Sequence, residues 1–205
     1  MKDLINKIHQ ADCLEFMKQL EDNSIDCVIT DPPYGIGEDT RKADKSGRKE
    51  WKSENRWDLA IPPKEYFDEI FRISKHQIIW GGNYFVEYLK NSRCWLSWYK
   101  MQEFSGADME LAYTSFDKSS KTYNLSRVVA HNREKKLHPT QKPVELMKWC
   151  INHYTEENDL ILDPFAGSGS TCVAAQNLHR NFIGIELEEK YCEIARDRLK
   201  QQTLI

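Results

Sequence analysis

An aspartate followed by two prolines and a tyrosine, Asp31-Pro32-Pro33-Tyr34, is the stretch whose residue types most directly indicate chemistry. Each proline fixes its φ angle and lacks an N–H, so the turn presents a carboxylate and backbone carbonyls on a rigid frame. A rigid pair of acceptors can bind an amino group, and the neighbouring aromatic ring can stack on a flat base. Taken alone, the tetrapeptide also fits a turn that only ends a strand.

A second candidate site is the glycine-containing stretch from Asp163 to Thr171, which follows an apolar run. Glycines allow close approach of the backbone to a ligand, and a helix N-terminus offers free N–H groups to an anion. No lysine follows Gly169, so this is not a phosphate-binding P-loop, and the spacing is not GxGxxG. Glu186 ends the next apolar run, where a carboxylate can accept from both hydroxyls of a ribose. The two features together favour an adenosine-like ligand, although each alone fits a tight turn or a helix start.

Short apolar runs bounded by turn residues predict buried parallel strands, and the amphipathic stretches between them predict helices. The predicted strands cover residues 4–11, 26–30, 77–80, 94–99, 109–115, 159–163 and 181–186, and the predicted helices cover 63–74, 143–154, 170–178 and 188–199. The strands at 94–99 and 109–115 have no clear helix between them, which predicts an antiparallel pair at one sheet edge. Alternation of this kind predicts a three-layer α/β domain with its chemistry at the carboxyl ends of the strands.

The Asp31–Tyr34 turn together with Asp163-Pro164-Phe165-Ala166-Gly167-Ser168-Gly169 resembles the two signature motifs of DNA amino-methyltransferases. The stretch 138–143, with the sequence His-Pro-Thr-Gln-Lys-Pro, resembles the segment that precedes the cofactor loop in the β class of that family. The similarity extends to 12–14, 57–58 and 110–115, and covers most of the chain from Asp12 to about Glu188. It implies methyl transfer from S-adenosyl-L-methionine (SAM) to an exocyclic amine of adenine or cytosine in double-stranded DNA. The product would be S-adenosyl-L-homocysteine, and no metal is implied.

The order of the two motifs carries information about topology. In the β class the catalytic turn precedes the cofactor loop, so the chain is circularly permuted relative to other methyltransferases. The resemblance therefore implies a Rossmann-like, SAM-dependent methyltransferase fold with a seven-stranded, mostly parallel sheet. It also predicts one catalytic domain over residues 1–205 and chain termini that lie close together.

The resemblance implies roles for individual residues. Asp31 and the carbonyl of Pro32 would accept hydrogen bonds from the target amine in the turn that Pro33 completes, and Tyr34 would stack on the flipped base. Asp12 would face the adenine of SAM, and Glu186 its ribose. The residues predicted to contact SAM are Asp12, Cys13, Asp31, Lys142, Asp163, Pro164, Phe165, Gly167, Ser168, Gly169, Ser170, Thr171, Glu186 and Leu187.

Two polar stretches, the loop at 35–63 and a short segment at 116–137, predict contact with DNA. Residues 41–56 contain seven Lys or Arg and three acids, and residues 118–142 contain seven and one. Basic loops suit phosphate contacts, which position a duplex without specifying sequence, although ordinary solvated loops remain an alternative. The predicted DNA-binding residues are Arg41, Lys42, Arg48, Lys49, Lys52, Lys118, Lys121, Arg127, Arg133, Lys135 and Lys136. The 116–137 segment occupies the place of a target-recognition segment, and its brevity indicates a short target or help from a second subunit in a homodimer.

Composition excludes several classes of protein. The 205 residues are 40% hydrophobic and 30% charged, which excludes a disordered chain. No apolar run approaches ~18 residues, so no membrane span is expected. Six scattered cysteines without a CxxC pair favour reduced thiols over a zinc site, and with no signal-like start they predict a cytoplasmic protein. The net charge of −3 conceals a partition, because residues 41–56 and 118–142 carry +4 and +6 by the counts above.

Other functions stay open at this point. Asn-Pro-Pro-Tyr turns serve glutamine side chains and guanine in RNA, whereas Asp31 favours DNA amines. Within DNA, aspartate at this position leans to adenine in the family, with the cytosine amino group as the alternative. A catalytically silent regulator that binds SAM or DNA is a further alternative, which the intact motifs disfavour. A restriction-modification enzyme and a lone phage or regulatory methylase fit the sequence equally well.

Overall fold

The computed structural model describes residues 1–37, 56–101, 107–134 and 136–202. The helices are α1 (Cys13–Met17), α2 (Lys64–Ile73), α3 (Arg127–Arg133), α4 (Val144–Tyr154), α5 (Ser170–Asn177) and α6 (Glu189–Gln202). The strands are β1 (Lys7–Gln10), β2 (Ile25–Thr30), β3 (Ser74–Trp80), β4 (Trp95–Tyr99), β5 (Met109–Thr114), β6 (Lys121–Asn124), β7 (Leu160–Asp163) and β8 (Asn181–Glu186). Short 3-10 turns form at Lys2–Leu4 and Gly82–Tyr84.

The strands form one sheet in the order β1-β8-β7-β2-β3-β5-β4-β6. All neighbours are parallel except β5, which is antiparallel to both β3 and β4. This confirms the Rossmann-like fold and the antiparallel pair predicted from 94–99 and 109–115. The prediction of seven strands was wrong by one, because β6 adds an eighth strand at the edge beside β4.

Helices cover both faces of the sheet and produce the three predicted layers. On one face, α4, α5 and α6 pack on side chains that include Cys27 and Ile29 of β2. On the other face, α1 and α2 pack on a cluster that includes Val28 of the same strand. The alternation along β2 follows from the two-residue period of a strand, and the burial of both faces explains its continuous apolar sequence.

The segment 116–137, predicted as a loop, contains regular structure. β6 pairs in parallel with β4, where Ser97 lies beside Thr122 and their hydroxyls are 2.7 Å apart. The indole of Trp98 donates to the carbonyl of Leu125 at 2.8 Å, which anchors the chain as it leaves the strand. The Lys-Thr-Tyr-Asn sequence of β6 gives no apolar signal because the strand is mostly exposed, so tertiary pairing decides its conformation.

The first strand and the last helix are in contact, as circular permutation requires. β1 pairs in parallel with β8, and α6 packs against β1. The guanidinium of Arg196 in α6 donates to the carbonyl of Ile8 at 3.1 Å. The first strand of the chain therefore lies beside β8, the last strand, and in contact with α6, the last helix.

The order of connections reverses between β7 and β2. From β7 the chain moves outward to β8, whereas from β2 it moves in the other direction to β3. Open α/β sheets bind ligands at the carboxyl ends of the strands that flank such a reversal. Asp163 ends β7 and Asp31 follows β2, so both carboxylates lie at this position.

A matched pair of valine substitutions tests the packing of the sheet. Val28 is fully buried in β2, whereas Val86 is 60% exposed. We expect Val28→Ala to lower the free energy of unfolding by about 2–3 kcal/mol, because the lost methyl groups leave a cavity. Val86→Ala should change it by less than about 0.5 kcal/mol. Urea denaturation of both variants measures the difference, and equal effects would contradict the described core.

Candidate active site

A cavity of about 450 Å³ lies at the carboxyl ends of β1, β8, β7 and β2. This volume is within the range of small-molecule and cofactor sites. Thirteen of the fourteen residues predicted to contact SAM line it; Gly169 does not. Asp31 and Pro33 of the Asp31–Tyr34 turn also line it, whereas Pro32 and Tyr34 lie outside its wall. Sequence positions as far apart as 12 and 187 therefore meet in one cavity.

The carboxylate of Asp31 is held by two donors. Its Oδ1 accepts from the hydroxyl of Tyr34 at 2.5 Å, and its Oδ2 accepts from Nζ of Lys142 at 2.6 Å. Lys142 precedes α4, so this ion pair joins segments 111 residues apart in the chain. Burial raises the pKa of Asp31, and the ammonium of Lys142 opposes that rise. The same Nζ is 3.1 Å from the hydroxyl of Tyr34.

Two further charged side chains, which the sequence reasoning missed as site residues, lie behind Lys142. Oε2 of Glu110 is 3.0 Å from Nζ of Lys142, and Oε1 of Glu110 is 2.7 Å from Nζ of Lys100. Burial would raise the pKa of Glu110, but the ammonium groups of Lys142 and Lys100 lower it to about 2. Glu110 was part of the family resemblance, yet only the buried position of Lys100 at the end of β4 shows that these charges meet.

The ring of Tyr34 is fixed by close packing. It stacks on Tyr84, with ring centroids 4.8 Å apart. Gly81 lies against the ring, since a Cβ at this position would be 2.0 Å from Cε1 of Tyr34. Gly81 also has a φ of +70°, which glycine adopts without strain. Two features of Gly81 therefore let the Tyr34 hydroxyl reach Asp31.

Asp163 is buried at the end of β7. Its Oδ1 accepts from the hydroxyl of Thr30 at 2.8 Å and from the backbone N–H of Phe165 at 3.1 Å. Burial raises the pKa of Asp163 from 3.8 to about 6, while hydrogen bonds from Thr171, Thr30 and Phe165 act in the opposite direction. The negative charge of Asp31 adds to the rise, so the cavity holds two carboxylates that are costly to ionise together.

The glycine loop and Glu186 are connected directly. One carboxylate oxygen of Glu186 accepts from the N–H of Gly167 and the other from the N–H of Glu188, both at 2.8 Å. A carboxylate has about four lone-pair sites, so these bonds leave it able to accept from a ribose hydroxyl. Gly169 has a φ of +78° and packs against Ala195, so it shapes the turn into α5 from behind the cavity.

Polar and aromatic groups form the wall at the end of β1. The side chain of Asp12 caps α1 by accepting from the N–H of Glu15 at 3.1 Å. The ring of Tyr66 stacks on Phe165 at a centroid distance of 6.0 Å. Burial, with the nearby Asp12 carboxylate, raises the pKa of Tyr66 to about 12. An acidic group beside flat rings is suited to an adenine with its amino group.

His138 and Trp57, which belong to stretches that carried the family resemblance, form another part of the cavity wall. Their rings stack at a centroid distance of 5.3 Å, and His138 meets the edge of Tyr191 at 4.3 Å. Burial, followed by the charges of Lys136 and Lys142, lowers the pKa of His138 to about 3. The imidazole is therefore neutral near pH 7 and packs as a flat ring behind Gly167.

The predicted DNA-binding residues fall in different places. Arg41, Lys42, Arg48, Lys49, Lys52 and Lys135 lie outside the described residues. Lys118 donates to the carbonyl of His153 at 3.4 Å, near the end of α4, and Lys121 begins β6. Both therefore lie near the amino ends of the parallel strands, whereas Asp31 lies at their carboxyl ends. Arg127 begins α3 just beyond the carboxyl end of β6, Arg133 ends that helix, and Lys136 follows it on the way to His138.

All six cysteines are buried free thiols. In residues 1–37, 56–101, 107–134 and 136–202, no His, Cys, Asp and Glu side chains are grouped so that they could hold a metal ion. Among the helices of the same residues, none is long and apolar enough to cross a membrane.

Fold and site together define an α/β protein with an adenosine-type cavity next to a buried, hydrogen-bonded carboxylate. Comparison with known proteins identifies the family. The family model for DNA methylases matches residues 68–197, and the chain belongs to this family. The Type II methyltransferase M2.MboI of Moraxella bovis is 28% identical to this chain. The alignment is 240 residues long and covers 96% of this chain and 88% of that protein.

Solved structures agree with this assignment. The M1.HpyAVI–SAM complex has 26% identity and a TM-score of 0.62, covering 94% of this chain and 98% of that one. The PvuII DNA methyltransferase, described as cytosine-N4-specific, has 16% identity and a TM-score of 0.64, covering 93% of this chain and 85% of that one. The second likeness concerns the fold alone.

The raised pKa of Asp163 makes stability depend on pH. An acid whose pKa is raised by folding stabilises the protein at low pH and loses that contribution as pH rises from about 4 to about 6. Between pH 4 and pH 7, the free energy of unfolding of the wild type should therefore fall by up to about 3 kcal/mol relative to that of Asp163→Asn. Urea denaturation of both proteins without ligand measures this difference. A difference that stays constant across the window would contradict the assigned shift.

Proposed function

We propose that this protein transfers a methyl group from SAM to the exocyclic amino group of adenine in double-stranded DNA. The observation that carries the proposal is the meeting of the Asp31–Tyr34 turn with the SAM-type cavity at one end of the sheet. Membership of the DNA methylase family supports the same activity. The residues needed for binding and for acceptance of an amine are all contributed by this chain, which we propose acts as one catalytic domain.

The cavity fits SAM by chemistry as well as by volume. Glu186 is a carboxylate acceptor for the ribose, and Asp12 with the Tyr66–Phe165 pair suits the adenine. Asp163 offers a buried carboxylate to the ammonium of the methionine part. When bound, SAM supplies an electrophilic methyl group on a sulfonium. The backbone N–H groups near Ser170 are available to its carboxylate at the start of α5.

The turn activates the amine by accepting hydrogen bonds. The amino group of a nucleobase is a weak nucleophile, because its lone pair is delocalised into the ring. The carboxylate of Asp31 and the carbonyl of Pro32 accept from the two N–H bonds, which favours a pyramidal nitrogen and stabilises the positive charge that develops on it. Tyr34 and Lys142 each donate to one oxygen of Asp31 in the free protein. We propose that the amine takes the place of Lys142 on this carboxylate when it binds.

The target base reaches the site by leaving the duplex. Tyr34 is the proposed stacking partner, and Tyr84, which is 44% exposed and already stacked on Tyr34, extends the same aromatic surface. Adenine is favoured by the aspartate in the turn, and the cytosine amino group is the alternative. Both amines would use the same acceptors.

We place the DNA at the carboxyl edge of the sheet. Arg56 lines the cavity, and Arg127 lies beyond the carboxyl end of β6. With Lys136 and the basic residues of 41–52, they would contact phosphates around the flipped base. Lys118 and Lys121 face the other edge and are left out of this contact. A homodimer, in which a second copy helps to read the sequence, remains a prediction from the short 116–137 segment.

A labelled-methyl assay tests the function. The protein is incubated with methyl-labelled SAM and unmethylated DNA, and the DNA is digested to nucleosides. We expect the label in N6-methyl-deoxyadenosine. Labelled N4-methylcytosine would replace the adenine proposal with the alternative amine, and absence of label from a protein that binds SAM would favour the silent regulator.

Substitution of the catalytic carboxylate tests the mechanism. We expect Asp31→Ala to lower the single-turnover methylation rate by about 100-fold or more, because a preorganised acceptor for the developing charge is lost. Calorimetry should show SAM binding retained. Asp117→Asn is the control, since this side chain is 87% exposed, lies far from Asp31 and forms an ion pair with the exposed Arg93. An Asp31→Ala protein that methylates DNA at the wild-type rate would refute the role.

A further inference from the structure

Four charged side chains of alternating sign form a continuous row that ends at the catalytic carboxylate. The row runs from Lys100 to Glu110, Lys142 and Asp31, with successive contacts of 2.7, 3.0 and 2.6 Å. The side chain of Lys142 is 7% exposed and that of Lys100 is 9% exposed. We call this row the charge chain. Only its last two members have a role in the function proposed above.

The β4–β5 hairpin determines where the first two members lie. Trp98 is directly opposite Glu110 in the antiparallel pair, so their side chains share one face of the sheet. Lys100 is two residues beyond Trp98 and therefore points to the same face, diagonal to Glu110. The N–H of Lys100 donates to the carbonyl of Asp108 at 2.9 Å, which holds the lysine in register. The sheet thus presents Glu110 to Lys142 from a rigid element.

Stability alone gives a weak reason for such a row. Removing charges from water costs energy that the attraction between them only partly returns, so apolar side chains of similar size stabilise a core at least as well. The ammonium of Lys142 has three N–H donors and three neighbours, namely Asp31, Tyr34 and Glu110. Lys142 therefore has a second carboxylate available when its contact with Asp31 changes.

We propose that Glu110 is a positioning residue for methyl transfer: it holds Lys142 so that Asp31 can exchange its hydrogen bond with Lys142 for one from the target amine. Lys100 acts through Glu110 by fixing and neutralising it. The inference rests on the proposed function, because the exchange is needed only when an amine binds at Asp31. Neither Lys100 nor Glu110 has to touch the base or SAM.

The exchange depends on competition for one ammonium. Without Glu110, Asp31 is the sole carboxylate within 4 Å of Lys142 among the described residues, and the amine must displace a stronger ion pair. With Glu110 in place, the ammonium of Lys142 has a carboxylate partner both before and after the exchange. Tyr34 can retain its donor to the other Asp31 oxygen, so the carboxylate keeps its orientation.

The surrounding charges give the proposal a pH signature. Lys142, Glu110, Tyr34 and Asp163 are the titratable groups that face Asp31 from the segment before α4, from β5, from its own turn and from β7. Burial raises the pKa of Asp31, Lys142 lowers it and Glu110 raises it. Removal of Glu110 should therefore move the acid limb of the rate profile to lower pH, and removal of Lys142 should move it to higher pH.

The central experiment compares Glu110→Gln with the wild type in single-turnover methylation, SAM binding and pH profile. We expect the rate constant to fall about tenfold or more, the Kd for SAM to change by less than about threefold, and the acid limb to shift downward. Lys142→Met should shift the limb upward. Glu145→Gln is the matched control, because this carboxylate is exposed in the first turn of α4 and pairs with Lys148.

A double variant separates positioning from folding, because Glu110→Gln alone leaves Lys100 buried without its partner. Lys100→Met with Glu110→Gln removes both charges and keeps the net charge. We expect the double variant to be as slow as Glu110→Gln, since Lys100 acts only through Glu110. A double variant restored to the wild-type rate would overturn the inference, as would a Glu110→Gln protein that behaves like Glu145→Gln. A wild type without methylation activity would instead refute the proposed function itself.

Discussion

Parallel pairing of β2 with β7 is the constraint on which the rest of the site depends. Cys27 pairs with Ile161 and Val28 with Leu162, so two segments more than 130 residues apart end at the same level. Asp31 and Asp163 follow from that register, and the hydrogen bond from Thr30 to Asp163 ties the two strand ends together. Without this pairing the Asp31–Tyr34 turn and the glycine loop would have no common cavity.

Two buried carboxylates at one point need compensation, and the structure supplies it differently for each. Asp163 receives hydrogen bonds from neutral donors, and burial still raises its pKa to about 6. Asp31 instead receives an ammonium, which Glu110 and Lys100 hold from the β4–β5 hairpin. The carboxylate proposed to bind the cationic cofactor and the one proposed to accept from a neutral amine thus lie in environments suited to those tasks.

Site residues and elements that belong to a continuous sequence motif could be predicted from the sequence. Those whose position depends on pairing between strands could not. The Asp31–Tyr34 turn and the glycine loop are continuous motifs next to apolar runs, so their place at strand ends could be inferred. β6 has an exposed, polar sequence and becomes a strand only because β4 offers it an edge. Lys100 resembles any surface lysine in the sequence, and its burial depends on strand register.

The sequence by itself indicated seven of the eight described strands, four of the six described helices and the two motifs, because each has a local pattern of residue types. The circularly permuted arrangement was implied by the family resemblance, since it follows from the order of the two motifs in the chain. The sequence also indicated that the net charge of −3 hides basic stretches. Tertiary structure decided which of those basic residues lie with Asp31 at the carboxyl ends of the strands. Lys118 and Lys121 lie near the amino ends instead. Tertiary structure also decided the partners of Lys142, because contacts across 111 residues come from packing, which no short pattern of residue types encodes.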